Sequence, residues 1–256
     1  MLYFAQVKNM RPKVIITVIF ILILFPSISG AYSPHLFPGP GIMGSTGLLR
    51  MPSADVLPYK NFNIGVDYGV DSDTNDPILF YKMNLGTFQG LEMGIVGGTK
   101  ENVDSGGGSE SNVKEGVFIN LKYSLSTDNS GTPLLLAIGV ENLSSYNDTD
   151  IYMVATRYLK EGPKIHFGFM GLFPGDKFTP LGMLGFDFQL GQGGILLLTE
   201  MFAGESIFQV DIGARMYFSP TLTANISGLN LFQNEEDPTG ITSKAITAGF
   251  SWINPF

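Results

Sequence analysis

From Phe62 onward, apolar and polar residues alternate with a period of two, the pattern of strands with one apolar and one polar face. Phe62, Ile64, Val66, Tyr68 and Val70 alternate with Asn63, Gly65, Asp67, Gly69 and Asp71. Phe208, Val210, Ile212, Ala214, Met216 and Phe218 alternate with Gln209, Asp211, Gly213, Arg215 and Tyr217. The same template fits the runs 79–85, 91–95, 117–123, 134–140, 184–190 and 246–252, and less cleanly 149–159, 163–172, 194–202 and 220–230. Twelve strands are therefore expected between residues 61 and 254. Gly and β-branched or aromatic residues interrupt every candidate helical stripe, so no amphipathic helix competes.

Two all-β architectures use such strands: a soluble sandwich or barrel with the apolar face inward, or a transmembrane antiparallel β-barrel with it outward. Strand length favours the second. The runs approach the roughly 9–11 residues of a tilted crossing, whereas soluble strands usually run about 5–6. The polar face, rich in Gly, Asn, Thr and charges of both signs, suits a hydrated lumen. The connections agree. With the N-terminus on the periplasmic side, the outer loops are 71–76, 99–114, 143–148, 173–179, 203–206 and 233–243, and they include the two longest. Only 203–206 is short among them, and the opposite side carries the turns at Gly86 to Phe88, 126–131, 160–163, 191–193 and Ser219-Pro220.

The start of the chain supplies a compartment. Lys8, Arg11 and Lys13 precede an apolar run from Val14 to Phe25, which Pro26 ends before Ser27-Ile28-Ser29-Gly30-Ala31. This is the grammar of a secretory signal, with cleavage expected after Ala31, and the run is shorter than a spanning helix requires. Removing its three basic residues from a chain of net charge −8 leaves −11, which argues against a nucleic-acid partner. The absence of cysteine excludes disulfides and thiolate chemistry.

Residues 32–60 do not alternate. Five prolines break them, at 34, 38, 40, 52 and 58. The stretch from Gly44-Ser45-Thr46-Gly47-Leu48-Leu49-Arg50-Met51 into Pro52-Ser53-Ala54 resembles the opening of the YjbH-like outer-membrane proteins associated with exopolysaccharide and capsule export. That resemblance implies a short, single-barrel relative, with polysaccharide or export-system proteins as partners. Gly44, Gly47, Leu48, Pro52 and Ala54 carry the motif. From the residues themselves, the segment is either a plug in the periplasmic mouth or an added strand and linker. Gly44 and Gly47 would allow close backbone approach, and Pro52 would end pairing.

No catalytic residue, cofactor or metal site is expected. His166 lies on a polar strand face, but no serine stands at a spacing that selects a nucleophile, and His35 lies among the prolines. Ser105-Gly106-Gly107-Gly108-Ser109 lacks the lysine of a phosphate loop, and Glu235-Glu236-Asp237 does not match a calcium loop. The candidate lumen is Asp67, Lys82, Asn84, Glu92, Asn120, Lys122, Glu141, Lys164, His166, Asp187, Gln189, Gln209, Asp211 and Arg215. Tyr68, Tyr123, Tyr158, Phe218 and Trp252 are expected in aromatic girdles. Phe250, Trp252 and the terminal Phe256 resemble the signal read by the barrel-assembly machinery.

The expected organisation is a signal peptide over 1–31, a periplasmic lead-in or plug over 32–60 and an outer-membrane barrel over 61–256, in contact with outer-membrane lipid. The expected function is a small channel or an export-associated component, with exopolysaccharide as the cargo that the resemblance implies. The alternatives are a closed structural barrel, a lipid-active enzyme at His166 and a secreted soluble β-protein.

Overall fold

The computed structural model describes residues 37–72, 75, 77–98, 117–126, 134–144, 148–159, 163–174, 178–191, 194–205, 208–233 and 244–254. The expected signal peptide, His35, the Gly-rich run 105–109, the acidic run 235–237 and Phe256 lie outside these residues.

Among the described residues are twelve strands: β1 (Phe62–Asp71), β2 (Pro77–Phe88), β3 (Leu91–Gly98), β4 (Val117–Ser124), β5 (Leu134–Glu141), β6 (Asp148–Tyr158), β7 (Lys164–Pro174), β8 (Thr179–Leu190), β9 (Ile195–Ala203), β10 (Phe208–Tyr217), β11 (Leu222–Gln233) and β12 (Ala245–Asn254). Each pairs antiparallel with its neighbours in the chain, and β1 pairs with β12 over ten positions, from Phe62↔Asn254 to Asp71↔Ala245, to close the barrel. Closure leaves no strand edge unpaired, which an apolar solvent demands of any sheet that crosses it.

Alternation sets which way each residue faces. Val66 is 45% exposed and its neighbour Asp67 2%. Around the barrel, Ile64, Tyr81, Met83, Ile95, Ile119, Ile138, Phe169, Phe188, Ile212 and Phe250 all project outward. An apolar belt of this extent around a polar interior is the inverse of a water-soluble protein, so the chain is a transmembrane antiparallel β-barrel.

Several details differ from the expectation. β2 continues through Phe88, and its turn falls at Gln89-Gly90, where Gly90 takes a φ of +81°. The irregularity expected as a turn is a register shift between Gly86 and Phe88. Residues 57–58 pass so close that a Cβ on Gly86 would lie 2.1 Å from the Pro58 carbonyl. The last strand but one begins at Leu222, because the Ser219 hydroxyl accepts the amides of Thr221 and Leu222 at 3.2 and 3.0 Å and holds a turn there. Tyr158, 41% exposed at the end of β6, nonetheless turns its hydroxyl towards the lumen. It shares the inward parity of Tyr152, Val154 and Thr156 on β6, and its hydroxyl donates to Asp55.

The inward face is also less uniformly polar than expected. Ile78, Phe80, Val96, Leu198, Leu229 and Ala245 gather around Ile42 and Leu49. Tyr152, Val154, Met170, Leu172, Leu181, Met183 and Phe202 gather around Met51 and Ala54. Both clusters combine barrel residues with residues from 42–54. The interior contains a packed core because this segment fills it.

Candidate functional site

Residues 37–60 make no ladder with the barrel. Their own bridges, Pro40↔Thr46 and Gly47↔Pro52, fold them into a compact double turn inside the lumen. Three contacts tighten the turn: Gly41 N to Ser45 O at 2.8 Å, Ile42 N to Leu49 O at 2.6 Å and Leu48 N to Met51 O at 2.9 Å. Gly44 adopts a φ of +101°. At Gly47 a Cβ would lie 2.3 Å from the Met51 carbonyl, so only glycine fits. The chain enters beside Tyr217, whose hydroxyl donates to Phe37 O at 3.0 Å. It leaves at the same end, where Lys60 N donates to Gly86 O at 2.9 Å just before β1.

A segment with so little regular pairing exposes backbone groups that need partners once buried. The barrel wall supplies them. Glu200 accepts three consecutive amides, Leu49 N at 2.9 Å, Arg50 N at 2.7 Å and Met51 N at 3.1 Å. Glu92 accepts Thr46 N at 2.8 Å, the Thr46 hydroxyl at 2.7 Å and Leu57 N at 2.9 Å. Arg215 donates to four carbonyls of the segment, the closest being Leu48 O at 2.8 Å and Gly47 O at 3.0 Å. Lys82, paired with Asp67, reaches Gly41 O at 2.7 Å, and Asn84 reaches Gly44 O at 2.6 Å. Asn120 reaches Met43 O at 2.7 Å. Lys122 reaches Thr46 O at 2.8 Å and lies 3.6 Å from Glu92.

In the opposite direction the segment inserts Arg50 into the wall. Its Nε donates to Asp211 Oδ2 at 2.7 Å, and its Nη2 donates to Asn230 Oδ1 at 2.7 Å and Gln209 Oε1 at 3.2 Å. The guanidinium carbon stands 5.3 Å from the centre of the Phe202 ring.

At the end of the lumen where residues 58–61 lead into β1, a second cluster holds the outgoing chain. Ala54 N donates to Thr156 Oγ1 at 2.9 Å, which contacts His166 Nδ1 at 2.9 Å. Asp55 accepts from Tyr158 and from Lys164 Nζ at 3.2 Å, while Asp187 lies 3.8 Å from Lys164 and 3.5 Å from His166 Nε2. Burial alone raises the Asp55 carboxyl, but the Lys164 ammonium and the Tyr158 hydroxyl outweigh it and hold it below its usual 3.8.

Of the candidate lumen residues, Asp67, Lys82, Asn84, Glu92, Asn120, Lys122, Glu141, His166, Asp187, Gln209, Asp211 and Arg215 are buried inside the barrel. Lys164 and Gln189 are half-buried near the end where the plug enters and leaves. Glu141 makes none of the plug contacts described, and its Oε1 has no hydrogen-bond partner among the described residues. In the lead-in motif, Leu48 and Ala54 are buried and Pro52 bridges to Gly47. Phe250 and Trp252 project outward.

Sequence reasoning missed Thr46, Arg50, Asp55, Glu200 and Asn230. Glu200 was hidden by the unbroken run Ile195-Leu196-Leu197-Leu198, in which parity is illegible. Arg50 had the one available signal, a lone cation in an otherwise uncharged stretch from Ile42 to Ala54.

No family model matches the sequence, and no curated protein matches it. Among solved structures the chain is similar to the KdgM porin, with a TM-score of 0.54 at 9% identity over 74% of this chain and 98% of that one. A NanC porin structure gives a TM-score of 0.49 at 11% identity, with the same coverage of both chains. At this identity the likeness to the KdgM porin establishes the barrel fold.

Proposed function

We propose that this chain is an outer-membrane barrel that acts as a small, non-enzymatic conduit, shut by its own N-terminal segment. One observation carries the reading. Beside its apolar contacts, the plug is held by a dense set of ions and hydrogen bonds, with Glu200, Glu92, Arg215, Lys82 and Arg50 at the main anchors. A lumen meant only to be filled is more simply stabilised by apolar packing, because buried ion pairs repay their desolvation poorly. Polar walls that hold a short polar segment are equally able to hold water and a hydrated solute once it leaves. The fold shared with the KdgM porin is consistent with this.

The YjbH-like character of Gly44 to Ala54 makes exopolysaccharide the first polymer to test, and export-system proteins the first partners. An enzymatic role at His166 is disfavoured, since the adjacent Thr156 hydroxyl is engaged by Ala54 N beneath the plug.

The test is planar-bilayer conductance of the full chain beside a variant lacking residues 38–56, each first shown to be a folded, heat-modifiable barrel. The full chain is expected to be silent or to open rarely, and the shortened one to conduct steadily and to be blocked by an anionic polysaccharide if that is its cargo. Silence from folded, inserted, shortened protein would establish the closed structural barrel instead.

A further inference from the structure

Among the described residues, the side chain of Arg50 is lined by groups of the barrel wall. Asp211 and Gln209 come from β10, Asn230 from β11, and Phe202 from β9. Their oxygens spread in a fan that takes the donors of one planar fork, and the aromatic ring presents its face to the cation. Asp211 is 0% exposed. Its other oxygen, Oδ1, accepts Asn230 N at 2.7 Å, so the wall orients the carboxylate independently of the plug.

We propose that this pocket is a guanidinium subsite of the lumen, in which Arg50 stands in for the guanidinium group of a small solute. The proposal rests on the plugged-conduit reading for the route by which that solute moves.

Two further observations support it. Glu200, 1% exposed, receives the amides on either side of the Arg50 side chain, so departure of the plug strips two buried carboxylates of partners at once. In the plugged state Arg50 fills the subsite, so a solute that supplies a replacement cation binds the open state more tightly than the plugged one, and shifts the equilibrium by that difference. The buried wall also offers few competing cations. Among the buried strand residues, carboxylates outnumber lysine and arginine seven to three. A bare metal ion would satisfy the charge, but it would use neither the two amide oxygens in their planar arrangement nor the ring face as fully.

The experiment is chemical rescue of Arg50→Ala in detergent. Thermal loss of the heat-modifiable barrel is followed with guanidinium, ethylammonium or sodium chloride at equal low ionic strength. Guanidinium is expected to protect Arg50→Ala at concentrations about tenfold lower than ethylammonium, with no effect from sodium. That preference should vanish in Arg50→Ala/Asp211→Asn and be absent from the wild type, whose pocket is filled. Equal protection by all three salts, or none by guanidinium, overturns the subsite. Should Arg50→Ala fail to assemble, Arg50→Lys takes its place. Guanidinium then expels the lysine and increases protease cleavage within 37–57, and unchanged cleavage overturns the proposal. Bilayer recordings on the same variant separate the two readings. Guanidinium binding without conductance removes the conduit and keeps the subsite, whereas conductance indifferent to guanidinium keeps the conduit and overturns the subsite.

Discussion

Glu200 shows what one side chain contributes when a short irregular segment is buried. Three successive amides of the plug converge on one carboxylate, and no strand or helix is available to take them. Glu200→Ala would leave three buried donors without acceptors and remove a counter-charge near Arg50. A loss of about 3–5 kcal/mol is expected, the range for breaking a buried charge network. Urea unfolding in lipid vesicles checks the stability, and protease cleavage within 37–57 reports whether the plug has come loose. Asp55 gives a second prediction at this scale, with its sign set by the neighbouring Lys164. Its folded pKa lies below the unfolded value, so its contribution is present above about pH 4 and is lost as pH falls through the lower folded value. The stability difference between wild type and Asp55→Asn, measured as a function of pH, should be flat at neutral pH and shrink on acidification. A difference that grows towards low pH would refute this.

At the scale of elements, the strands and the plug follow different rules. Each strand repeats one instruction, outward then inward, so its twelve or fewer residues are legible from a period of two, as β1 and β10 are along their whole length. Legibility fails where the period is masked. In β9 four apolar residues run together, and in β6 Tyr152 is buried inside although most aromatic residues of the strands face outward. The plug has no period. Its shape depends on single positions such as Gly47, where Gly47→Ala places a methyl group 2.3 Å from the Met51 carbonyl. That substitution is expected to raise protease cleavage within 37–57 while the heat-modifiable barrel persists, a combination that separates plug from wall.

For the whole molecule, the governing contrast is between two solvents. The outer belt meets hydrocarbon, so Ile95→Arg, at a site 45% exposed on β3, should destabilise the barrel by about 2–4 kcal/mol near the bilayer midplane. Unfolding from vesicles measures it. The interior meets the plug, where Arg50 pairs with Asp211 across 161 positions, beside the pairs Lys82–Asp67 and Lys122–Glu92 between neighbouring strands of the wall.

The sequence by itself determined the barrel, its twelve strands and the inward set from Asp67 to Arg215, because orientation in a strand depends only on parity, a local property. It left open whether residues 32–60 added a strand or filled the lumen. Only the tertiary structure decided what residues 37–57 do: Arg50 finds Asp211 across 161 positions, and Glu200 finds Leu49 across 151. Such pairings are set by closure of the sheet. Until β1 meets β12, the lumen that brings these groups together does not exist.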